Sequence, residues 1–179
     1  MLTTRGRRER LARFRRDVPG CIPALVNRVY GNPVASCANG HRKIWEMYAL
    51  TSNLLIFEDD AYAKIPRWVT FVDRLHPPVE WDILYLGGRH FIPPTVIGSI
   101  SGEYRWVKCA WTHQTHAYIV RDPRVLLRRT TKIRGTIGKV EHIDRTLQTI
   151  GIRRIGVDPF VFGQRAGVSD IGRGRMVDT

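Results

Sequence analysis

Apolar positions along this chain fall alternately into helical stripes and short continuous runs, and that alternation predicts the architecture. Residues 5–17 place Leu11 and Phe14 three apart among seven Arg, which predicts a solvated outer helix with a narrow apolar face. "IPALVNRVY" (22–30) reads as a β segment, "GNP" as a turn, and residues 38–51 as a helix turning Ile44, Trp45, Tyr48 and Leu50 inward. "NLLIFEDD" (53–60) is an apolar run ending in three acids, the pattern of a buried strand whose C-terminal end opens into a site. A helix over 66–75 with Pro66 near its first turn, a strand over 81–88 and an irregular Pro/Gly-rich loop over 89–104 follow. Beyond them the pattern predicts strands at "YRWVKCAW" and "THAYIVR", then a helix over 122–130 with Asp122 as N-cap and Pro123 at its first position. A helix over 142–151, a strand near 153–157 and a loop-rich tail complete the order.

Strands alternating with helices indicate one α/β domain over residues 1–179 with a mainly parallel central sheet. In such sheets the ligand lies at the carboxyl ends of the strands, where Glu58, Asp59 and Asp60 fall. No repeat, low-complexity tract or linker interrupts the chain.

Composition narrows the classes. The longest apolar run is far shorter than the roughly 20 residues of a membrane-spanning helix, and no apolar stretch follows the basic start, so the expected compartment is cytoplasmic. Three cysteines, Cys21, Cys37 and Cys109, are odd in number and widely spaced, which suits reduced thiols. Cys37 with His41, or His113 with His116, lacks the further donors that a closed zinc site requires.

Net charge is +13, yet residues 51–100 carry six acidic against four basic groups, so the acidic stretch is internal and local. A basic chain attracts phosphate-rich partners, whether nucleic acid, an anionic membrane face, a phosphorylated glycan or a nucleotide diphosphate. Arg outnumbers Lys 24 to 5. A planar guanidinium grips phosphate with two parallel hydrogen bonds, although a GC-rich genome would give the same bias.

Three adjacent carboxylates after an apolar strand repel one another, and a hard divalent cation such as Mg²⁺ or Mn²⁺ would answer that repulsion while taking substrate phosphates as further ligands. A solvated acidic turn, or a cluster paired with Arg, is the competing structural reading.

Seven spaced segments occur in one order: "RGRRER", "CANGHRKIW", "LLIFEDDA", "WDILYLGG", "THAYIV", "HID" with "RTL", and "GQRAGVSDI". Together they resemble glycosyltransferase family 25, the lipooligosaccharide-type and collagen-type sugar transferases. The resemblance implies a GT-A fold that binds a nucleotide-diphosphate sugar, most simply a UDP-sugar, and passes the sugar to an acceptor hydroxyl with inversion. It implies that Glu58 and Asp60 flank the metal-binding acidic motif. It also implies an acid near the reaction centre at Asp144, with Glu141 in reserve, although helix capping accounts equally for Asp144. Arg5, His41 and His116 match donor-side positions, with Gly40 standing where the family's Ser precedes the His. His116 on an apolar strand also reads as a hydrogen-bonded core residue. Gln164, Ser169 and Asp170 match a C-terminal pattern that either closes over the diphosphate or caps a turn. Family members open on a strand that leads into the Arg segment; only Met1 to Thr4 precede Arg5, so the expectation is a start assigned too late, another segment in the strand's place, or an N-terminally shortened domain with an incomplete donor pocket.

The implied function is a metal-dependent, inverting transfer from a nucleotide sugar to a glycan, protein or modified nucleic-acid base. A non-catalytic, basic nucleic-acid-binding protein on a degenerate transferase scaffold is the alternative, supported by the N-terminal helix and the Arg-rich 121–134 segment.

Overall fold

The computed structural model of the chain describes residues 5–22, 33–131 and 142–165, with short strands at 167–168 and 175–176. The β segment expected over 22–30 lies almost wholly outside these residues, as do Glu141, Ser169 and Asp170. Ten strands and five helices are described: α1 (Arg5–Asp17), α2 (Pro33–Met47), β1 (Leu54–Phe57), β2 (Ala61–Ala63), α3 (Trp68–Asp73), β3 (Ile83–His90), β4 (Thr95–Ser101), β5 (Tyr104–Lys108), β6 (Thr112–Val120), α4 (Pro123–Thr131), α5 (Ile143–Thr149), β7 (Arg154–Asp158), β8 (Phe162–Gln164), β9 (Gly167–Val168) and β10 (Arg175–Met176).

Successive residues of a strand point to opposite faces, and here both faces are covered. Along β3, Ile83 and Tyr85 pack with Trp45, Leu126 and Leu147 from α2, α4 and α5. Leu84 and Leu86, pointing the other way, pack with Phe14 and Val18 at and just beyond the end of α1. The same split runs along β6, with Tyr118 and Val120 on one side and Ala117 and Ile119 on the other. A six-stranded sheet thus lies between two apolar layers.

Its order is β1-β6-β3-β7-β5-β4. Only β3 and β7 run parallel; the pairs β1/β6, β6/β3, β7/β5 and β5/β4 are antiparallel. This corrects the expected mainly parallel sheet. Continuous apolar strands report burial on both faces, which an antiparallel sheet achieves as well when helices cover it.

The expected loop over 89–104 is also corrected: it holds the end of β3, β4, and the turn that pairs β4 with β5. Gly98 and Gly102 marked a loop in the sequence, but Gly98 sits within β4 against Trp106 and only Gly102 needs the left-handed turn conformation, at φ +57°. The second helix starts at Pro33 and ends at Met47, so Leu50 is 91% exposed rather than turned inward. Left-handed Arg67, at φ 56°, delays α3 until Trp68. The α4 cap is as expected: Asp122 Oδ1 accepts the Arg124 backbone N–H at 2.9 Å. Among the described residues, no helix is long and apolar enough to cross a membrane.

Candidate functional site

Antiparallel pairing with register Phe57↔Ala117 carries the end of β1 alongside the middle of β6. Glu58, the next residue, continues that contact, its N–H donating to the His116 carbonyl at 3.0 Å. On its other edge, β6 pairs with β3 through register shifts at Gly87, and Gln114 takes a left-handed backbone at φ 60°. Such irregularities bend a strand and re-aim its side chains, here at the end of the sheet where the acids lie.

Asp144, near the start of α5, anchors this bend. Its Oδ2 accepts the Gln114 backbone N–H at 3.0 Å, and its Oδ1 accepts the Thr115 hydroxyl at 2.9 Å. The same Thr115 oxygen lies 3.5 Å from Glu58 Oε1, so one threonine links the acid after β1 to the acid on α5. His113 Nδ1 stands 4.0 Å from Asp144 Oδ2, and Trp111 Nε1–H donates to the other nitrogen of that ring.

The histidine of α2 approaches from the same helical layer as α5. His41 is buried, with Nε2 3.3 Å from Glu58 Oε1 and Nδ1 2.7 Å from the Tyr118 hydroxyl. Burial opposes charge on this ring, but the Tyr118 oxygen, the Cys37 sulfur and the Glu58 carboxylate outweigh it and hold the His41 pKa well above the usual histidine value. For Glu58, burial pushes the pKa up, and His41 with lesser help from His116 and Thr115 pulls it below the usual glutamate value. The pair is therefore a buried imidazolium against a part-buried carboxylate.

Asp60 sits differently. Gly163 and Gln164 of β8 pair with β2, which brings the Gln164 amide to Asp60, Nε2 donating to Oδ2 at 3.1 Å. The other carboxyl oxygen, Oδ1, is buried with no hydrogen-bond partner. Burial, then the negative charges of Glu58 and Asp59, push the Asp60 pKa up to about 7, against weaker help from Gln164 and Arg10. Asp59 is half exposed and pairs with Arg10 of α1 at 3.7 Å, so the ion-paired alternative read from the sequence describes this acid alone of the three.

His116 is fully buried, its Nε2 3.3 Å from the Phe162 carbonyl and its Nδ1 without a partner. Burial, only partly offset by Glu58, keeps its pKa below the usual value, so the ring is neutral. Gly87 makes room for it: a Cβ there would lie 2.5 Å from His116 Nε2.

Glu58, Asp60, His41, His116, Asp144 and Gln164 thus converge on one end of the sheet. Arg5 opens α1, but its side chain lies outside the described ones. The sequence reading missed Thr115 and Tyr118; it weighed Cys37 with His41 as a zinc pair and set the pair aside for want of further donors, one of which Glu58 offers here. A cavity of about 860 Å³ lined by Leu55, Leu75, Pro78, Trp81, Leu84 and Arg121 contains none of these site residues. Compared with known proteins, the chain matches no family model and no curated sequence.

Proposed function

We propose that this chain is a metal-dependent, inverting glycosyltransferase of the GT-A type, moving a sugar from a nucleotide diphosphate, most simply a UDP-sugar, to an acceptor hydroxyl. The observation that carries the reading is Asp60. A carboxyl group with a buried, unpartnered oxygen, beside two further acids, is an electrostatic deficit that a cation would relieve. That orphaned oxygen and the all-oxygen character of Asp60 and Glu58 fit a hard ion such as Mn²⁺ or Mg²⁺. Bound there, the ion would neutralise charge developing on the departing diphosphate.

The remaining roles fall to the chain's own groups. Asp144 is the base that takes the proton of the attacking hydroxyl, and Thr115 fixes its carboxylate through Oδ1. His41 holds Glu58, and Gln164 holds one oxygen of Asp60 so that the other stays free. The non-catalytic nucleic-acid reading draws on the Arg-rich 121–134 segment, yet Arg121 pairs with Glu80 and Arg124 with Asp122. The acceptor is therefore sought first among glycans and proteins.

Hydrolysis or transfer of a panel of nucleotide sugars, with Mn²⁺ and with chelator, tests the proposal. Activity should require the metal and vanish in Asp60→Ala. Unchanged turnover in that variant rejects the assigned metal role. Asp144→Asn should lower transfer by roughly 10² to 10⁴-fold, the usual contribution of a positioned base, while donor binding persists.

A further inference from the structure

Cys37 and His41 are one turn apart on α2, so they share a helix face, and Glu58 meets that face from the end of β1. The donor atoms of these three residues all lie within 4.8 Å of one another. We propose that Cys37, His41 and Glu58 form a site for a borderline-soft divalent cation of the zinc class, distinct from the hard-ion position at Asp60.

The donor set argues the choice of metal. Sulfur, imidazole nitrogen and carboxylate oxygen together suit Zn²⁺, whereas Mg²⁺ and Mn²⁺ favour oxygen. Zinc bonds of about 2.0 to 2.3 Å would set neighbouring donors roughly 3 to 4 Å apart, so modest side-chain rotations close the set. The imidazole is already oriented for ligation. Nδ1–H donates to the Tyr118 oxygen, 2.7 Å away, and Nε2 faces Glu58 Oε1 at 3.3 Å, where loss of its proton to solvent would free a lone pair for the metal. A ligating histidine characteristically donates its other N–H in this way, which fixes both tautomer and ring orientation. Three protein ligands leave a coordination position for water or another ligand, the pattern of an open rather than a closed zinc site. Binding would release two protons to solvent, one from the Cys37 thiol and one from His41 Nε2, and break the direct contact between His41 and Glu58, placing a dication between them.

The site does not depend on the glycosyl-transfer reading, although it shares Glu58 and its neighbour His41 with it. Its test uses the full chain, stripped with chelator and titrated with Co²⁺ alone. The expected result is one equivalent of cobalt with a thiolate-to-metal charge-transfer band, displaced by Zn²⁺ and not by Mg²⁺. Cys37→Ser should abolish the band and Cys21→Ser should keep it. Tyr118→Phe should lower Zn²⁺ affinity about 10-fold or more, as loss of an orienting partner does. A measurement on the unmodified chain guards against misfolded variants: saturating Zn²⁺ should slow alkylation of Cys37 at least 10-fold and leave Cys21 unaffected. Absence of the band, its survival in folded Cys37→Ser, or an unchanged alkylation rate at Cys37 overturns the proposal.

Discussion

Ionising Asp60 places a second negative charge in a space that already holds the Glu58 carboxylate, and the pKa of about 7 records that cost. The consequence for stability has a definite sign. An acid whose folded pKa lies above its ordinary value costs nothing while protonated in both states. The penalty appears as pH rises past the ordinary aspartate range and is complete above the folded value. Asp60→Asn removes it, so without metal this variant should match the native protein near pH 4 and exceed it at pH 8 by roughly 2 to 4 kcal/mol. Urea denaturation at the two pH values measures the difference; equal stability at pH 8 would show that the carboxylate is better solvated than its burial indicates. Gly87 makes a second, purely steric case. A Cβ at this position would meet His116 Nε2 at 2.5 Å and Phe162 Cβ at 3.1 Å, and the buried ring has no open side to retreat to. Gly87→Ala should therefore cost about 1 to 3 kcal/mol, and the added His116→Ala change should recover part of it. Thermal melting of the single and double variants decides this.

Helix α2 does two jobs through one stripe. Cys37, His41 and Trp45 recur every four residues, so the helix that presents a thiol and an imidazole to Glu58 is anchored in the core by the fully buried Trp45 one turn further on. Trp45→Ala should cost about 3 to 5 kcal/mol, and should also slow any metal-dependent signal by loosening His41. A loss of stability with the His41 contact intact, seen in the imidazole resonances, would separate the two jobs. The helix itself was readable from the spacing of its apolar residues, as were β1, β3, β6 and α4, because side-chain period follows backbone geometry. Strand direction was not. Ile83, Leu84, Tyr85 and Leu86 are all buried whether the neighbouring strand runs up or down, so an apolar run carries the number of covered faces and nothing about polarity. Likewise β4 was hidden because Gly98 interrupts it and Pro93, Pro94 and Gly102 flank it, while its pairing with β5 is made by backbone groups that no side chain announces.

The molecule combines a net charge of +13 with an acidic knot at one end of its sheet, and the two have to be reconciled in any account of its ligands. Half of that knot could be seen in advance. Glu58 and Asp60 are two residues apart with Asp59 between them, and three neighbouring acids after an apolar run stand out whatever the fold. Thr115 and Tyr118 could not be seen, since their contacts to Glu58 and His41 span 57 and 77 residues and exist only once β1 and α2 have met β6. The long-range field of the basic surface draws in polyanions, and the local acids turn them away unless a cation stands between. A nucleotide diphosphate should therefore bind only together with Mn²⁺ or Mg²⁺, and the two together should stabilise the fold more than either does alone. At a ligand concentration 100 times the dissociation constant, linkage supplies about 2.7 kcal/mol, and for a chain of this size each kcal/mol moves the melting temperature by about 2 to 4 °C. A rise of roughly 5 to 10 °C is expected with metal and UDP combined, and none with UDP alone at physiological salt. Asp60→Ala should remove the combined effect while leaving the +13 background almost untouched, so a shift that survives in that variant would assign the nucleotide to the basic surface and not to the acids.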